Sequence, residues 1–133
     1  MTSGPLTGPT PMDLYSVMCV RDRARSVPWF EVFFGRPADE VIGEEYLWQV
    51  GANAWVVVDD REVRAERVGG AMVTFGVTGL DDILARLAAH GIEHEPVETY
   101  RNGVRHVVVL DPDGNSLSLA EAPVVENPAP ASS

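Results

Sequence analysis

The chain has 133 residues, 45% of them apolar, and 20 acidic side chains against 10 basic ones give it a formal net charge of −10. That length suits one domain or two small fused repeats with a real core, and no apolar run approaches the ~18 residues a membrane span needs. An acidic chain without a basic stripe argues against nucleic acid as a partner and would attract a cationic ligand, though acidity also serves solubility alone; every basic residue is Arg, which rules out lysine chemistry.

In chain order, residues 1–12 carry Gly4, Pro5, Gly8, Pro9 and Pro11 and read as a flexible N-terminal arm. They show no basic stretch followed by an apolar one, so the expected location is the cytoplasm. Leu14 to Val20 reads as a strand. Within it Cys19, alone in the chain, has no disulfide partner and reads as a small core residue. Asp22 is a plausible helix cap. A helix over Ser26 to Phe34 follows, with Val27, Phe30 and Phe34 on one face, Phe33 beside them and Gly35 closing it. Pro28 is tolerated in a first turn, which sets the predicted start near Ser26. Short strands are predicted near 39–43, 45–50 and 53–58. A polar linker over 59–70 ends in Gly69-Gly70.

The order then repeats. Met72 to Val77 reads as a strand, and Leu80 to His90 as a helix ended by Gly91. Leu80, Ile83, Leu84 and Leu87 form its apolar stripe. Strands are predicted near 93–98, 104–110 and 116–121, with Asp111-Pro112-Asp113-Gly114-Asn115 as the turn before the last. Val20 and Val77, like Gly35 and Gly91, occupy matching places, the mark of an internal duplication. Residues 122–133, with Pro123, Pro128 and Pro130, read as a disordered tail. The fold class expected is α+β, with a domain over 13–121 built from modules near 13–58 and 71–121.

Alternation assigns faces to the strands. Val73, Phe75 and Val77 should lie under the second helix, leaving Met72, Thr74 and Gly76 on the other face. Leu117 and Leu119 should face the helix, and Ser116, Ser118 and Ala120 point away. Tyr46 and Trp48 share one side of their strand, either as a stacking platform for a ligand or as packing under a helix. Tyr15 sits in the first predicted strand, Trp55 in another predicted strand of the first module, and Tyr100 in a loop. The three histidines are His90, His94 and His106; a metal site from His106, Glu95 and Cys19 is conceivable.

Two stretches carry a resemblance. One is Val20-Arg21-Asp22 with Ser26-Val27-Pro28-Trp29-Phe30 and Phe34-Gly35. The other is Asp111-Pro112-Asp113-Gly114-Asn115 followed by alternating Leu117 and Leu119. Together they resemble the vicinal-oxygen-chelate superfamily of glyoxalases, extradiol dioxygenases and bleomycin-resistance proteins. The resemblance implies two βαβββ modules forming a cupped mixed sheet with helices on the convex side, and a homodimer. It also implies four metal-ligand slots in the strands, normally His, Gln or Glu. Here they hold Tyr15, Met72, Ser118 and the neighbourhood of Trp55 to Val57, a poor donor set for a divalent ion.

The function this implies is metal-free binding of a small molecule, an aromatic or cationic natural product such as an antibiotic, held without chemical change. No cofactor and no catalytic residue are expected. The expected ligand-binding residues are Tyr15, Trp48, Tyr46, Trp55, Met72, Tyr100, Ser118 and Phe33. An enzyme of the same superfamily, a lyase, dioxygenase or transferase, is the alternative reading.

Overall fold

The computed structural model describes residues 12–124; the predicted arm over 1–11 and the tail from 125 lie outside the described residues. Strand β1 (Leu14–Cys19) leads to helix α1 (Arg23–Phe34). Asp22 caps the helix, its Oδ1 accepting from the Ala24 amide at 3.0 Å. The helix thus begins three residues before the predicted Ser26. The cap starts the chain turning, so Pro28 falls inside the helix and not in its first turn. Gly35 ends α1 at φ 76°, its amide donating to the Glu31 carbonyl at 2.9 Å.

Three strands complete the first module: β2 (Glu40–Ile42), β3 (Glu45–Gly51) and β4 (Ala54–Asp59). Their sheet runs β1-β4-β3-β2, with β1 and β4 parallel. A short 3-10 helix (Glu62–Arg67) occupies the linker that reads simply as polar in the sequence.

The second module repeats the order with β5 (Met72–Gly76), α2 (Leu80–Ala89), β6 (Glu98–Thr99), β7 (Arg105–Leu110) and β8 (Ser116–Glu121). Its sheet runs β5-β8-β7-β6, again with a parallel β5–β8 pair. The strand predicted over 93–98 shrinks to the two residues of β6. Pro96 offers no N–H to a ladder, and Glu95 reaches β7 through a separate bond from its amide to the Val108 carbonyl at 2.9 Å. Gly79 cannot cap α2 with a side chain, so Glu121 does so from β8, accepting from the Leu80 amide at 2.9 Å.

One core serves both modules. Met18, Val20, Phe30, Phe33, Trp48, Val56 and Val58 of the first meet Leu80, Leu87, Val107, Val109, Leu117 and Leu119 of the second. Val73, Phe75 and Val77 pack against that core, as their alternation predicts. The helices are tied directly: Arg86 of α2 donates from Nε to the Val32 carbonyl at 2.8 Å and from Nη2 to the Phe33 carbonyl at 2.7 Å. Arg86 therefore adds a donor to the Val32 carbonyl, which also accepts from the Gly35 amide at 3.2 Å, and supplies one to the Phe33 carbonyl in the last turn of α1.

Candidate functional site: the concave sheet faces

Strand register places the residues on the side away from the helices. In the first sheet Tyr15 pairs with Trp55, Val17 with Val57 and Cys19 with Asp59. In the second, Met72 pairs with Ser116, and Thr74 with Ser118, which in turn faces Val108. The three single-residue slots implied by the resemblance, Tyr15, Met72 and Ser118, fall on these faces, each out of phase with the core-facing Met18, Val73 and Leu117; of the fourth, Trp55 to Val57, Val56 faces the core and Trp55 and Val57 the concave side.

The predicted binding residues divide. Tyr15 and Trp55 come together as a near-parallel pair with ring centroids 6.4 Å apart, and Tyr15 is 52% exposed. Met72 is 84% exposed, and Ser118, two residues along the neighbouring strand from Ser116, is buried. Tyr100 stacks on His106 at 5.6 Å near the outer edge of the second sheet. Trp48, Tyr46 and Phe33 are placed elsewhere. Trp48 is 0% exposed on the helix side, against Phe30 and Phe34, and its indole N–H donates to the Arg36 carbonyl at 2.9 Å. Tyr46 packs against the same core, so the pair makes no stacking platform on the concave face. The shared parity was legible, but its direction was set by α1, whose aromatic face supplies the apolar contacts that Trp48 fills. Phe33 is a core residue that stacks on Trp29 at 5.3 Å.

The linker changes the first sheet's concave face in a way no motif announces. Arg64 places Nε 2.8 Å from Asp59 Oδ2, and Arg61 places Nη2 2.9 Å from the same oxygen. Burial alone would raise the Asp59 pKa. The side-chain and backbone hydrogen bonds from Arg61, with the charges of Arg61 and Arg64, outweigh it and hold the carboxyl below its ordinary value. Cys19 beside it is buried and its thiol pKa is raised, chiefly by desolvation, which makes it an unreactive side chain. The 3-10 helix thus closes the end of this face at Cys19 and Asp59, while the Tyr15–Trp55 end stays open.

The donor set does not fit a divalent metal. A phenol, a thioether and a hydroxyl stand at three slots where imidazole or carboxylate would be needed, and Trp55 to Val57 around the fourth offer neither. Among the described residues no group of three or more His, Cys, Asp and Glu is placed to hold an ion, so His106, Glu95 and Cys19 do not assemble one. No helix among the described residues is long and apolar enough to cross a membrane.

Two four-stranded mixed sheets built from repeated βαβββ modules, with their helices packed together, define the vicinal-oxygen-chelate class of folds. A glyoxalase/bleomycin resistance protein from Catenulispora acidiphila shares 32% sequence identity at a TM-score of 0.76, over 85% of this chain and 100% of the relative. The chain belongs to the glyoxalase/bleomycin resistance protein family. The antibiotic binding protein TnmS3 from a Streptomyces species is similar in fold at 20% identity and TM-score 0.68, over 89% of this chain and 100% of TnmS3. A lactoylglutathione lyase from Agrobacterium tumefaciens is similar in fold at 19% identity and TM-score 0.65, over 86% of this chain and 96% of the lyase. No protein-family model matches the sequence, and a search of curated proteins finds no match either.

Proposed function

We propose that this protein binds an aromatic small molecule against its concave sheet face and holds it without chemical change. The observation that carries the reading is that the metal-ligand slots hold Tyr15, Met72, Ser118 and the neighbourhood of Trp55 to Val57, with Tyr15 and Trp55 paired as an aromatic surface. Such a surface offers area for a planar ligand and no Lewis acid to act on it. The formal net charge of −10 favours a ligand that is also cationic. A protein of this kind confers resistance by sequestering an antibiotic, and the fold it shares with TnmS3 supports that use.

A homodimer is part of the proposal. Met72 and Tyr15 leave the concave faces open in a single chain, and a second copy would supply the wall that encloses a ligand. Native mass spectrometry with a panel of planar cationic antibiotics tests the whole reading. The expected result is a dimer carrying intact ligand, one per concave site, recovered with unchanged mass. A ligand that comes back modified, or a transition metal bound in stoichiometric amount, would overturn it in favour of an enzyme.

A further inference from the structure

A cavity with a volume of about 440 Å³ lies in the cleft between the two modules, and Trp55 and Thr74 of the concave faces are on its border. Its walls include Phe33, Phe34, Phe75 and Ile83, with Arg36 and Arg86 among its polar groups. The volume is within the range of about 300–1,000 Å³ typical of small-molecule sites. Although the chain carries 20 acidic side chains, none among the described residues lines this cleft. The remaining side-chain polar groups around it, including those of Ser16, Gln49 and Thr74, are neutral.

The two guanidinium groups differ in what already holds them. Arg36 is paired with Asp39, Nη2 to Oδ2 at 2.9 Å. Arg86 is bound only to the neutral carbonyls of Val32 and Phe33, and no carboxylate among the described residues forms a salt bridge with it. A guanidinium carries five N–H donors, so these two bonds leave donors and a full positive charge unmatched. That single uncompensated charge beside three phenylalanine rings calls for a ligand with one negative charge and a flat apolar body.

We propose that the inter-module cleft is a binding site for an arylcarboxylate, with its rings against Phe33, Phe34 and Phe75 and its carboxylate on Arg86. The cleft borders the concave face at Trp55 and Thr74 but selects the opposite charge. A carboxylate fits better than a phosphate dianion because one unpaired guanidinium matches one charge. Since Arg86 also ties α2 to the end of α1, an occupant would brace the contact between the modules.

Isothermal titration of the full chain with 2-naphthoate, 2-naphthamide and 2-naphthylmethylammonium tests the assignment. The expected order is one naphthoate per chain and the amide weaker by at least about tenfold because the charge-assisted contact is lost, with any ammonium binding, which belongs to the concave face, unaffected by Ile83→Trp. Ile83→Trp fills the cleft from α2 while keeping both guanidinium groups and should abolish naphthoate binding. Arg86→Gln should reduce naphthoate affinity to that of the amide; if that variant does not fold, Ile83→Trp alone decides. Equal affinity for naphthoate and the amide, or unchanged naphthoate binding in Ile83→Trp, would overturn the proposal. Met72→Arg alters only the concave face, and loss of naphthoate binding in that variant would overturn it too, by placing the probe at the other site.

Discussion

Asn115 Nδ2 donates to the main-chain carbonyl of Cys19 at 3.0 Å, joining the turn before the last strand to the end of the first strand. The same side chain accepts from the Ala71 amide through Oδ1 at 2.9 Å, and its Nδ2 also reaches Asp111 Oδ2 at 2.8 Å. One fully buried amide thus joins β1, the start of β5 and the Asp-Pro-Asp-Gly-Asn turn. The turn is legible in the sequence; its use as the clasp between modules is not.

Asn115→Ala should therefore destabilise the protein by roughly 1–3 kcal/mol, since it leaves the Ala71 amide without its partner and leaves the Cys19 carbonyl with the Gly69 amide alone. Urea denaturation followed by tryptophan fluorescence gives the number. A change below about 0.5 kcal/mol, the level of an ordinary surface substitution, would show that water replaces the amide and that the clasp is unimportant.

Arg86→Ala should cost roughly 1.5–3 kcal/mol, the range for hydrogen bonds made by a charged group. It exposes the carbonyls of Val32 and Phe33 at the end of α1. Hydrogen exchange should show the last turn of α1 opening first, ahead of the strands. Uniform loss of protection across the chain would instead mean that the staple acts on global folding alone.

Trp48→Phe should lower stability by roughly 1–3 kcal/mol, the cost of a poorly filled core site. Its indole touches Phe30 and Phe34 and is closed to solvent. Trp55→Leu should do the reverse: little change in the urea midpoint, with a loss of affinity for planar ligands of about tenfold, the scale of one aromatic contact. Titration of both variants with the same ligand separates the two tryptophans. A ligand that responds to Trp48 and ignores Trp55 would remove the concave face from the proposed function.

Asp59 predicts an acid limb in the stability profile. Its folded pKa is lowered, so its contribution is complete above the unfolded value of about 3.9 and is lost as pH falls through the lower folded value. Asp59→Asn should be less stable than the parent at pH 7, and the difference should shrink as the parent is acidified below pH ~4. Asp111 acts in the opposite sense. Burial raises its pKa, so its ionised form costs stability above the folded value, and the cost is relieved as pH falls toward the unfolded one. A gap between parent and Asp59→Asn that stays constant from pH 7 to about pH 3 would show that packing, not charge, holds the Asp59 cluster.

Much of the candidate site was readable because strand alternation is a local rule. Tyr15, Met72 and Ser118 fall on the concave face since each is out of phase with the apolar positions of its own strand. Tyr46 and Trp48 obey the same rule, yet their direction depends on what covers the strand. Both faces of β3 hold apolar residues, and Leu47 on the other side is buried as well, so alternation could not choose between them. The Arg61–Asp59–Arg64 cluster was hidden for a related reason: a charged linker gives no sign that it will fold back over a sheet.

By itself, then, the sequence determined the duplicated strand and helix order, the main turn and the alternation that sorts Tyr15, Met72 and Ser118 from the core-facing positions. These rest on residue type and on spacing along a few consecutive residues, which act before any distant contact forms. Tertiary structure alone decided that the two modules share one core, that Trp48 belongs to it, and that Arg86 and Glu121 serve helix ends remote from them in sequence. Those outcomes follow from filling space and satisfying buried polar groups with whatever side chain the completed fold brings near, and no local pattern encodes which one that will be.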